Sequence, residues 1–188
     1  MRRNGFTLIE ILTAVALLTA ALGMIWAVWL GANETAEVLG KKANGTDATV
    51  HALAMITREL RATSPSQLSD LPGEAVRYRV PEDRDGNALP VDGQGAIEWG
   101  PVHRIGRDYD DRNNDGFTES QLVLERDEVV EVLANGLLPP AKDGESGRGI
   151  WFEEQDGGVL VTIEVASTTR RKLTVAARAV QLVVPRNP

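Results

Sequence analysis

With 188 residues and a formal net charge of −7, the chain lacks the positive footprint that non-specific nucleic-acid binding needs. It contains no cysteine, which excludes both thiolate chemistry and a disulfide framework. Once an apolar N-terminal stretch is set aside, the remaining length suits one soluble domain.

That stretch comes first in the chain. Residues 5–21 read GFTLIEILTAVALLTAA, with one carboxylate, Glu10, in an otherwise apolar run. From Ile11 to Ala32 there is no charge, and polar content is limited to Thr13, Thr19 and two glycines. Such a run makes about 33 Å of helix, enough to cross a bilayer. Arg2 and Arg3 precede it and favour a cytoplasmic N-terminus, with the rest of the chain outside. A secretory signal peptide has a similar outline, but its apolar region is shorter and ends at a small-x-small site with a polar break. Here Ala32 and Ala36 sit on a continuing helical pattern. A plain anchor would not need Glu10, since a carboxylate near the membrane core is costly and implies a partner. An amine would serve. Cleavage between Gly5 and Phe6 would create an α-amino group close to Glu10, or to the Glu10 of a neighbouring copy.

The string GFTLIEILTA resembles the N-terminal signal of type IV pilins and of the pseudopilins of type II secretion. The resemblance implies a prepilin peptidase that cuts the Gly5–Phe6 bond and N-methylation of Phe6. It implies that Glu10 pairs with an adjacent subunit's N-terminus during assembly. It further implies a single-pass protein of the bacterial inner membrane with a periplasmic domain, assembling with other pilin or pseudopilin subunits through the N-terminal helix. Lack of cysteine removes the C-terminal disulfide of many major pilins and shifts the expectation toward a minor pilin or pseudopilin.

Trp26 and Trp29 mark either the outer membrane interface or packing between helices. From Asn33 to Thr63 the pattern stays helical, with Val50, Leu53, Ile56 and Leu60 on one face. Lys41, Asn44 and Gly45 predict a bend or break, and Pro65 a stop. Unbroken, Phe6 to Ser64 would span ~88 Å. The organisation expected is a leader at 1–5, an assembly helix at 6–32, an amphipathic helix at 33–64 and a β-rich domain at 65–188. Of the 20 basic and 27 acidic residues, 18 and 26 lie beyond Glu10, a balance of −8.

Strand-like alternation or β-branched content predicts strands at 75–80, 96–99, 121–125, 129–133, 150–153, 159–166 and 172–184. Gly, Pro, Asp and Asn clusters at 81–95, 108–120 and 139–149 separate them. The fold class expected is therefore α+β, a long N-terminal helix on a largely antiparallel sheet. The last segment is apolar on both faces, which predicts a central or covered strand. The order of MITRELRA, VRYRV, QLVLERDEVVEVLANGL and LTVAARAVQLVV along the chain is similar to that of J-type minor pseudopilins and W-type minor pilins.

One loop has the spacing of a cation site. Asp111, Asn113, Asp115 and Gly116 occupy positions 1, 3, 5 and 6 of an EF-hand-like pattern. Leu122 stands where the bidentate acid belongs, leaving Glu119 at position 9 as a partial substitute. Asp83, Asp85 and Asn87 form a shorter echo. Calcium is one reading; a solvated turn built of good turn formers is the other. No enzymatic constellation emerges: His51 and His103 lack partners at metal or acid–base spacing, and Ser64, Ser66 and Ser69 read as helix termination. The functional expectation is a minor pseudopilin helping to initiate or cap a secretion pseudopilus. The alternatives are a minor pilin priming a type IV pilus and an anchored binding module that never polymerises.

Overall fold

A single helix, α1, runs from Leu8 to Arg61 in the computed structural model, which describes residues 7–84, 86, 88–127, 129–140 and 149–186. The chain divides into two compact units, Met1–Gly40 and Lys41–Pro188. In the first, Leu8, Leu17, Ile25 and Val28 all lie exposed, as does nearly every side chain of the apolar run. Thr13 and Thr19 donate their hydroxyls to the carbonyls of Ile9 and Val15 at 2.9 and 2.8 Å, so neither leaves an unpaired polar group on the helix surface. Trp26 and Trp29, three residues apart, bring their rings to 5.1 Å between centroids.

The second unit begins within α1. No break occurs at Lys41–Gly45. Gly45 instead permits close approach: a Cβ there would stand 3.3 Å from Ala177 Cβ and 3.4 Å from Val165 Cγ2. The buried stripe is Thr49, Ala52, Leu53, Ile56 and Leu60, following the 3.6-residue period, while Val50, expected on that face, is 57% exposed and lies off it. α1 ends at Arg61, short of Ser64. Ser64 instead caps a 3-10 turn, Pro65–Gln67, its Oγ accepting the Ser66 N–H at 3.3 Å.

Seven strands follow: β1 (Ala75–Tyr78), β2 (His103–Arg107), β3 (Gln121–Arg126), β4 (Val129–Asn135), β5 (Ile150–Gln155), β6 (Gly158–Thr168) and β7 (Thr174–Val183). They form two antiparallel sheets, ordered β1-β2-β3-β4 and β5-β6-β7. Isolated bridges join the sheets, Gly73 to Phe152 and Leu137 to Val165. Gly136, at φ 76°, makes the second junction possible, because a Cβ there would sit 2.9 Å from the Ala166 carbonyl oxygen. Val76, Ile105, Leu122 and Leu124 from one sheet and Ile150, Phe152, Val161 and Ile163 from the other close over Ile56 and Leu60 in one core.

Three strand expectations change. The 96–99 segment makes no strand and contributes only the bridges Val91–Ile97 and Pro81–Trp99. β2 was not predicted as a strand because His103 and Arg107, alternating with its one large apolar residue, point inward and break the apolar pattern. β7 is an edge rather than a central strand, with Val180 and Leu182 exposed on its outer side and Val184 exposed just beyond its end. The fold class is α+β, one long N-terminal apolar helix with two antiparallel sheets.

Candidate functional site

Gly5 and Phe6, the predicted processing site, lie outside the described residues. Glu10 lies in the first turn of α1, where a carboxylate complements the helix dipole. Thr7 and Glu10 close a capping box. The Thr7 N–H and hydroxyl donate to Glu10 Oε2 at 2.9 and 3.1 Å, and the Glu10 N–H donates to Thr7 Oγ1 at 3.4 Å. The T-x-x-E spacing was legible in the sequence and is the signal that identifies Thr7 as the residue holding Glu10 in place. In the single chain, then, the carboxylate satisfies its own helix end. Pairing with another chain's amine would have to replace or share those bonds.

α1 is the one helix among the described residues long and apolar enough to cross a membrane. Residues 1–26 match the family model of the prokaryotic N-terminal methylation motif.

The chain carries a prepilin-type methylation motif.

The match supports the type IV pilin and pseudopilin superfamily, whose members are structural rather than catalytic. With the long apolar helix, the motif fits a membrane-anchored protein, and the α+β arrangement is pilin-like. The motif suggests processing by a prepilin peptidase and assembly with other pilins. No curated protein and no solved structure matches the chain.

The acidic loop after β2 is built around Arg107, whose side chain is wholly buried. Its Nε donates to Glu74 Oε2 at 3.0 Å, its Nη1 bonds the Glu119 carbonyl, and Tyr109 adds its hydroxyl to the same Glu74 carboxylate. Burial, followed by the hydrogen bond to Glu74, raises the Tyr109 phenol to about 12. Buried Asp108 accepts the N–H groups of Asp110 and Arg112.

The residues expected to ligate calcium bond instead to the loop itself. Asp111 Oδ1 accepts the N–H groups of Asp115 and Gly116 at 2.9 and 3.1 Å. Asp115 accepts Gln121 Nε2 at 2.7 Å, Asn113 Nδ2 at 2.8 Å and the Phe117 N–H at 2.9 Å. Those bonds, Gln121's first, hold the Asp115 carboxyl below the usual range. Glu119 takes φ 58° and contributes its carbonyl to Arg107. Among the described residues no group of three or more histidines and carboxylates is placed to hold a metal ion. In the shorter echo, Asp85 and Asn87 fall outside the described residues, and Asp83 accepts the Gly86 and Ala88 N–H groups.

Neither histidine joins such a group among the described residues. His51 is exposed, whereas His103 is buried edge-on to Tyr78, ring centroids 5.5 Å apart, with no partner on Nδ1.

Proposed function

We propose that the chain is a minor pseudopilin of a type II secretion system, a structural subunit that helps initiate or cap the pseudopilus driving protein export. The observation that carries the reading is the methylation motif with Glu10 at the head of an uncharged helical run. The order of the four sequence blocks, similar to that of both J-type minor pseudopilins and W-type minor pilins, supports a minor subunit, and priming of a type IV pilus is the second reading.

On this reading residues 1–5 are a leader, 6–32 the assembly helix in the inner membrane, and 33–64 and 65–188 the periplasmic helix and β-rich domain. Phe6 becomes the N-methylated mature terminus, and Glu10 pairs with a neighbour's amine in the filament. The Thr7–Glu10 box keeps the carboxylate hydrogen-bonded until that partner arrives.

Quantitative proteomics of culture supernatant and periplasm from a deletion strain and its parent tests the assignment. Exoproteins trapped in the periplasm, with surface pili intact, are the expected result. Normal secretion with lost pili would move the chain to the pilus machinery. Glu10→Ala tests assembly separately: it should leave membrane insertion intact and abolish incorporation, and unchanged incorporation would favour the non-polymerising anchor.

A further inference from the structure

Each sheet ends in two edge strands, and three of the four are protected against pairing with another chain. β1 has only four residues and is bridged at Arg77 by Ser69. β4 carries Glu131 and a register shift against β3. β5 carries Glu153 and Glu154 and is bridged at Phe152 by Gly73. β7 has none of these devices. Its 10 residues hold an unbroken register with β6 and include no proline, lysine or carboxylate. Among the described residues no backbone hydrogen bond reaches β7 from outside that pair, so the N–H and C=O groups of its outer edge lack a backbone partner. The side chains repeat the pattern. Val180 and Leu182 on the outer face are 48% and 39% exposed, at positions where a solvated edge strand ordinarily carries charge.

We propose that the outer edge of β7 takes an extended segment of a different polypeptide as an added antiparallel strand, one with alternate apolar side chains and a carboxylate opposite Arg178. Main-chain hydrogen bonds along the edge would supply affinity, and the alternating side chains selectivity. The partner's apolar side chains would lie beside Val180 and Leu182 and remove them from water. Its carboxylate is set by charge. Arg178 is the one charged residue of β7, is exposed, and pairs through Nε with Glu164 Oε1 at 3.2 Å. No acidic residue occurs from Val165 to Pro188, so the strand and its flanks offer an incoming carboxylate no repulsion of their own. A second copy of the chain fits less well. α1 and β7 run in the same direction, Gly45 lying against Ala177 and the Arg61 carbonyl accepting the Arg186 N–H at 3.2 Å. Antiparallel pairing of β7 with its own copy would point the two Lys41 ends in opposite directions, which two chains entering from one membrane cannot do. That last step rests on the membrane-anchored reading; the open edge does not, and nothing here depends on the secretion assignment.

Residue-resolved amide hydrogen exchange on the full chain in detergent micelles provides the test. The probe is a synthetic peptide with the sequence of β6, GVLVTIEVAST, which already matches β7 in register with Glu164 opposite Arg178. In the free chain every second β7 amide should exchange fast, the others being held by β6. The peptide should slow the fast set by about tenfold, the protection that one net backbone hydrogen bond confers. The same peptide with Val161→Pro and Ile163→Pro should have no effect. Val180→Lys in the chain should abolish the slowing while leaving the melting temperature unchanged; should that variant melt lower, the proline peptide on the unaltered chain still decides. Four results would overturn the proposal: β7 amides all protected in the free monomer, no slowing at the highest soluble peptide concentration, slowing accompanied by opening of the chain's own β6, or protection that grows with chain concentration without peptide. The third means strand exchange, and the fourth makes a second copy the occupant.

Discussion

The Tyr78 hydroxyl donates to Glu59 Oε2 at 3.0 Å, joining β1 to the buried side of α1. Glu59 is only 7% exposed, and Arg58 and Arg126 each approach its other oxygen at 3.4 Å. Tyr78→Phe keeps the ring and its edge contact with His103 but leaves the buried carboxylate without its closest donor. It should cost about 1–3 kcal/mol, read as a lower urea midpoint with an unchanged slope. A loss below about 0.5 kcal/mol, within the range of ordinary surface substitutions, would show that the two arginines suffice.

The chain has two tyrosines, and both are held protonated. Burial and the Glu59 charge push Tyr78 well above the usual phenol range, and burial with the Glu74 hydrogen bond raises Tyr109 to about 12. A raised phenol pKa favours the neutral form in the folded state. The stability it contributes is complete below the unfolded value of about 10 and is lost as pH climbs through the folded one. Absorbance at the tyrosinate band should therefore stay flat past pH 10 in the native protein and rise at once in urea. Half-titration of either tyrosine near pH 10 in the native state would contradict the two contacts.

Arg107 should be the most sensitive charged residue of the domain. It is fully buried and ties the segment before β1 to the loop after β2 through Glu74 and Glu119. Arg107→Ala should cost about 3–5 kcal/mol by stranding the Glu74 carboxylate. Arg107→Lys should recover only part of that, because a point charge cannot reach both partners. Equal stability of the alanine variant and the parent in thermal melts would refute the pinning role.

Asp111, Asn113 and Asp115 already bond to the loop's own amides, so millimolar calcium should leave the melting temperature unchanged. A calcium-dependent rise, reversed by chelator, would restore the cation-site reading through binding linkage.

What could be read from the sequence follows from which signals survive in one dimension. The uncharged run and Glu10 were plain because a span and its lone carboxylate need no tertiary context. β3, β4, β5 and β6 showed because Leu122, Leu124, Leu133, Phe152, Val161 and Ile163 alternate or cluster where the core lies. β2 was invisible because Arg107 occupies a core position made tolerable by partners outside the strand, the Glu74 carboxylate and the Glu119 carbonyl. Gly45 looked like a helix breaker because its reason, the approach of Ala177 and Val165, lies more than a hundred residues away. The place of β7 at a sheet edge could not be read from its apolar content, since hydrophobicity reports burial and not strand order. The Thr7–Glu10 box was local and legible, but a carboxylate beside a membrane span drew the reading toward a partner in another chain and away from its own helix end.

Mass spectrometry of the N-terminus, on protein purified from membranes of the native host, tests the central claim most directly. A mature chain beginning at N-methylated Phe6, with residues 1–5 removed, is the predicted result. A chain retaining its first five residues, or one cut beyond the uncharged run after Ala32, would contradict the pilin-like account.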